Sequence, residues 1–178
     1  MGKSCLNKLS GNISVNCIIP QVGVKNIYLM HAEDVTLAEG GSNPWVLATA
    51  SFAPCATVIR VEGYKQNIQI TSAIRTMDAS AKLDYSVMFK FTSQDFAAAP
   101  RVRSLLGGKF YVLVEYQNGM NTLIGYTSPL ECSGMDWDSN ANAGFITVTL
   151  TAPEGSAGNY LMDAAAAAVT SIKSKAGV

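Results

Sequence analysis

Charge is what this chain has least of. Its 13 basic and 13 acidic side chains make up 15% of 178 residues, against roughly 25% in ordinary globular domains. The two signs cancel to a net charge of zero. The chain as a whole therefore has no electrostatic basis for holding nucleic acid or an anionic membrane. With so little charge to keep a surface soluble, part of that surface is expected to be covered by neighbouring subunits.

Histidine is nearly missing as well. His31 is the sole one, so any Ser-His-Asp or Cys-His mechanism must pass through it. It stands in MHAED at the end of a predicted strand. The nearness of Glu33 and Asp34 in sequence says nothing about triad geometry. Ordinary strand-end packing is the expectation, and no catalytic residue is assigned. Four cysteines, Cys5, Cys17, Cys55 and Cys132, are widely and irregularly spaced. Without a CxxC pair, a zinc ribbon and a thioredoxin-like motif are excluded. The segment MGKSCLNKLSGN lacks the apolar region of a secretory signal. Reduced, mostly buried thiols are expected, as in a protein made in the cytoplasm. Leu6 stands where N-myristoylation wants Ser or Thr. No run approaches the ~18 apolar residues of a membrane span.

Neither G-x-G-x-x-G nor a Walker A sequence occurs. DWDSNAN puts Asp136, Asp138, Asn140 and Asn142 on alternate positions, like the start of a calcium loop. Ala141 stands where that loop needs glycine, and Thr147 where it needs the bidentate glutamate. Turn formers in a hairpin loop are the better reading. No metal and no cofactor is assigned. Arg101, Arg103 and Lys109 form a small basic patch, read as a solvated or intersubunit face. Tyr85, Phe89 and Phe91 fall at strand spacing and belong in a core rather than a base-stacking platform.

What the chain does have is apolar alternation. Hydrophobic residues make up 48%, enough for one domain with a real core. Val24–His31 is apolar on both faces, the mark of a strand buried on two sides. The turn-rich 33–44 after it is expected to be a loop, and Trp45–Phe52 and Thr57–Glu62 are further strand candidates. Gln66–Met77 and Lys82–Thr92 follow, joined by a short connection that predicts an antiparallel hairpin. Leu83, Tyr85, Val87, Phe89 and Phe91 line one face of its second strand. Pro100 and Gly107 bracket a short helix with Val102, Leu105 and Leu106 on one stripe. Asn118-Gly119 predicts a hairpin turn between Phe110–Tyr116 and Asn121–Tyr126. A loop of small and acidic residues leads to the Thr-alternating strand Phe145–Thr151. In Met162–Lys175 the alanines 164–168 predict a helix docked on a neighbour, or a frayed end.

The expected fold is mainly β, a β-sandwich or barrel of the all-β or α+β kind. One short helix flanks it, and a second is open at the C-terminus. The chain divides into an N-terminal arm (1–20), a β-sandwich or barrel domain (21–160) and an Ala-rich tail (161–178). The arm, the 33–44 loop and the tail lack the core alternation. They are expected to contact other subunits rather than complete the protomer core.

Two segments together carry a resemblance. They are Cys5–Thr36 (CLNKLSGNISVNCIIPQVGVKNIYLMHAEDVT) and Lys109–Glu154 (KFYVLVEYQNGMNTLIGYTSPLECSGMDWDSNANAGFITVTLTAPE). Their layout resembles small virion structural proteins of tailed bacteriophages and prophages of Bacteroidetes-type bacteria, similar to tail-tube and neck-ring subunits. The likeness spans about half the chain and is a pattern of elements rather than a strict motif. It implies β-sandwich or barrel protomers that close into a homo-oligomeric ring, a hexamer being one such closure, and rings that stack into a tube. It implies other virion proteins as partners, and location in the virion after synthesis in the bacterial host cytoplasm. DNA would pass through the conduit without sequence-specific binding. No catalytic residue, cofactor, small-molecule substrate or membrane partner comes with it. Two other readings stay open. One is another virion part: a head-decoration, head-fibre or packaged protein. The other is a monomeric β-sandwich that binds carbohydrate or protein.

Overall fold

The structure is a computed structural model. It describes residues 23–63, 67–77, 80–92, 104–137, 145–154, 156 and 159–178. The strands in chain order are β1 (Val24–His31), β2 (Val35–Gly40), β3 (Asn43–Phe52), β4 (Val58–Glu62), β5 (Ile68–Met77) and β6 (Ser80–Thr92). Then come β7 (Lys109–Tyr116), β8 (Asn121–Ile124), β9 (Leu130–Trp137), β10 (Phe145–Thr151) and β11 (Met162–Ala164), followed by the helix α1 (Ala166–Lys175). A helical segment at 104–106 precedes β7. The protein is mainly β with a flanking helix, as its alternation predicts.

All described strands belong to one mixed sheet in the order β2-β3-β11-β8-β7-β9-β10-β6-β5, with β1 pairing both β7 and β4. Among the described residues, only the pairing of β11 with β3 is parallel. The sheet forks at β7. Val112–Glu115 pair with β8, while Lys109 and Phe110 pair with β9. Gly125 makes the fork, with φ +96 and a Cβ position 3.1 Å from the Phe110 carbonyl oxygen. Only glycine adopts that backbone without strain. For this reason β8 ends at Ile124 rather than Tyr126.

β1 and β7 form the central layer and are buried on both faces. On one face Ile27, Leu29, Phe110, Val112 and Val114 pack against Val87, Phe89, Val148 and Leu150 from the β6–β10 half. On the other, Tyr28, Met30 and Leu113 pack with Leu47, Leu123 and Met162, under Ala168, Val169 and Ile172 of α1. The two-sided apolar pattern of Val24–His31 has this cause.

Four expectations are corrected. The segment 33–44 is not a loop: Val35–Gly40 pairs with β3 through a turn at 41–42. Val35 and Leu37 face inward and Thr36 and Ala38 outward, so the alternation is present but continues into Ala38, Glu39 and Gly40, residues of poor strand propensity. The region read as a loop before Phe145 contains β9. Between Thr149 and Leu150 the pairing register shifts, so that Gly134 and Cys132 are successive partners and Ser133 is extra. A bulge reverses which face alternate residues occupy, so Cys132 and Met135 both reach the core. The tail completes the protomer core: β11 lies between β3 and β8, and Met162, Ala168 and Ile172 are fully buried. Around 100–107, Leu105 is buried but Leu106 is 60% exposed, so the stripe is narrower than predicted. Pro100 and Val102 lie outside the described residues, as does the arm 1–20.

Candidate functional site

The residues with possible chemistry are dispersed. His31 is partly buried, and its ring tilts over Phe110 at a centroid distance of 4.7 Å, an ordinary aromatic packing contact. Of the calcium-like alternation, Asp138, Asn140 and Asn142 lie outside the described residues. Among the described residues no group of three His, Cys, Asp or Glu could hold a metal ion. Cys132 is partly buried, but Cys55 is exposed. The expectation of mostly buried thiols is corrected there, because Cys55 sits in the turn between β3 and β4. Cys5 and Cys17 lie outside the described residues. Lys109 pairs with Glu131 at 3.3 Å, while Arg101 and Arg103 are not described. Tyr85 and Phe89 are buried and Phe91 packs beside them. A shallow cleft lined by Thr71, Ala73, Asp84, Tyr85, Ser86, Thr151 and Ala152 brings together one carboxylate and one phenol, with no cysteine or histidine among these lining residues. No helix among the described residues is long and apolar enough to cross a membrane.

The sheet's open end has a different character. β5 and β6 pair from Ile68↔Phe89 to Met77↔Ser80, whereas β10 stops at Thr151↔Ser86. Residues 80–85 of β6 therefore run past β10, about 20 Å at strand rise. Asn159 N donates to Leu83 O at 2.8 Å, and Lys82 donates to the Ser156 carbonyl, so the inner edge is tied back. The outer strand β5 ends the sheet path. On its apolar face, Ile68 is buried, Ile70 is partly covered and Ile74 is 73% exposed. One hydrophobic stripe thus runs out of the core and continues uncovered. The opposite terminal strand, β2, likewise has no partner on its outer edge among the described residues. β4 differs, for its Arg60 and Glu62 form an ion pair that blunts the edge.

A second cluster was not anticipated from sequence. Glu115, 6% exposed, lies on the α1 side of β7. Its Oε1 accepts from Lys173 at 2.8 Å and Lys25 at 3.3 Å. Its Oε2 accepts from Asn26 at 2.8 Å and Tyr28 at 3.1 Å. Burial disfavours the charged carboxylate, but the hydrogen bonds from Lys173, Asn26, Tyr28 and Lys25 outweigh it and hold the pKa down at about 2. Burial first, then the bond to Glu115, pushes the Tyr28 phenol up to about 12. Every lone-pair direction is occupied, so the cluster acts as a structural clamp. A charged residue in an otherwise apolar two-sided strand (FYVLVEY) is the signal that could have revealed it.

No protein-family model matches this chain, and no curated protein or solved structure matches it either.

Proposed function

We propose that this protein is a structural subunit of a tailed-phage virion that assembles with copies of itself into rings or a tube, a conduit for DNA. The observation that carries the reading is the β5–β6 hairpin. Its apolar stripe leaves the core and ends on Ile74, 73% exposed. A two-stranded extension is marginal in water on its own, and an uncovered edge invites another strand. β5 carries Arg75 as its single charge and has no proline, so little protects it. A monomer selected to stay alone would place lysine or proline there. β2 and β5, the two ends of the sheet path among the described residues, suit a heterologous contact that closes by cyclic symmetry. The low charge and the resemblance in layout point the same way. DNA passage asks only for a lumen, and no base-reading element is needed.

The test is assembly of purified protein, followed by sedimentation and negative-stain imaging. Rings or tubes are expected from the unmodified chain. Ile74→Asp should remain folded, with an unchanged melt, and stay small. A chain that remains monomeric at high concentration in all salts overturns the proposal. So does an Ile74→Asp variant that assembles normally.

A further inference from the structure

The sheet face under α1 is not covered across its full width. Ser171 Oγ of the helix donates to Ala50 O at 2.9 Å, which sets α1 over the later part of β3. Trp45, earlier on β3, is 54% exposed, although Leu47 two residues on is fully buried on that face. Its indole meets Tyr160 edge to face, with centroids 4.7 Å apart and planes at 69°. Glu39 pairs with Leu47 across the β2–β3 ladder, so its side chain shares that face. Tyr126 and Tyr160 pack against the same core cluster as Leu47, and burial first, then the nearby Glu39 carboxylate, pushes the Tyr126 phenol up. Glu39 is exposed. Among the described residues, no lysine or arginine pairs with it.

Two aromatic planes near a right angle form a corner. A carboxylate that no lysine or arginine among the described residues pairs with stands beside it and adds negative charge to the negative faces of the rings. Anions are repelled there, and an apolar neighbour would have to bury the carboxylate without a countercharge. A soft cation satisfies both parts: ring faces attract it, and the carboxylate neutralises it. Lysine would lose its strong hydration on entering, whereas an alkylated ammonium has little to lose and presents methyl groups to the rings. We propose that Trp45, Tyr160, Tyr126 and Glu39 form a binding site for a quaternary ammonium group of the choline class, free or on a lipid headgroup. The site is independent of the assembly reading.

The test follows the ring resonances of Trp45 and Tyr160 by NMR during titration with choline and with tetramethylammonium. The neutral isostere 3,3-dimethyl-1-butanol serves as the control. Both cations should shift the two rings, and the isostere should bind roughly ten-fold more weakly. Glu39→Gln should weaken choline several-fold. Trp45→Ala should remove the response at Tyr160, with both variants melting as the parent. Phosphatidylcholine vesicles then distinguish the source: co-sedimentation assigns the headgroup, and its absence alongside choline binding assigns the free cation. Equal binding of the isostere overturns the proposal, as does a response to a neutral disaccharide and none to choline. Binding unchanged in both Glu39→Gln and Trp45→Ala overturns it as well.

Discussion

The Lys173 ammonium, in the last turn of α1, donates to Glu115 Oε1 at 2.8 Å, and so ties the C-terminal helix to the central strand of the sheet. The helix needs the tie. It has 10 residues, no side-chain N-cap and no acidic residue in its first turn, and isolated helices below ~12 residues are marginal in water. Packing of Ala168, Val169 and Ile172 and the clamp hold it in place.

Acid should act through this clamp. The Glu115 pKa lies at about 2 in the folded protein, below its ordinary 4.5. A depressed carboxylate contributes stability that is fully present above the unfolded value and lost as pH falls through the folded one. The loss is therefore expected between about pH 4.5 and pH 2. Glu115→Gln should lower stability at neutral pH by about 1–3 kcal/mol and flatten the acid limb of the melting curve. An unchanged acid limb in that variant shows that other carboxylates control it.

The Tyr28 phenol, raised to about 12 from 10.0, acts at the other extreme. Its contribution is intact below pH 10 and lost as pH rises toward 12, because the unfolded chain ionises first. Tyr28→Phe should remove that alkaline dependence, read by denaturant melts at increasing pH.

Val87 is fully buried in the β6 stripe, while Lys90 on the opposite face is exposed. Val87→Asp should abolish folding, because an unpaired buried carboxylate costs several kcal/mol. Lys90→Glu should leave the circular dichroism melt within about 0.5 kcal/mol of the parent. Similar behaviour of the two variants would mean that the register is wrong.

Removing residues 162–178 should unfold the protomer. The deletion takes β11 from between β3 and β8 and uncovers Leu47 and Leu123. The milder Ile172→Ala should cost about 2–5 kcal/mol and keep a cooperative transition. A truncated chain that melts cooperatively near the parent temperature would place the tail outside the core.

Gly125→Ala should cost about 1–3 kcal/mol, since φ is +96 and the Phe110 carbonyl oxygen is 3.1 Å from the new methyl. Gly41→Ala is the comparison, with open space at its Cβ and little expected effect on the melt.

Strands with strict alternation were legible in sequence. Phe145–Thr151 has the predicted limits, and the β5–β6 hairpin pairs as expected, with Tyr85, Val87 and Phe89 buried. The Asn118-Gly119 turn forms as predicted, with Gly119 at φ +85 and Asn118 Oδ1 accepting from Met120 N at 3.0 Å. Failures came where one residue changed the period. The extra Ser133 in β9 hid a strand, and the Ala and Glu of β2 carried too little propensity to outweigh the glycines after them. The alanine run left a docked helix or a frayed end open; it divides between β11, which ends at Ala164, and α1, which starts at Ala166, because alanine fits both a surface and a tightly packed interface.

Local period, propensity and composition were enough for the β class, the main strands, the turn chemistry and the short supply of charge. Which strands end the sheet path, where Ile74 emerges from the core, that Glu115 gathers Lys25 and Lys173, and that Trp45 and Glu39 share one face came from packing alone. Those are relations between residues far apart in the chain, created by strand order and register, and no local pattern carries them.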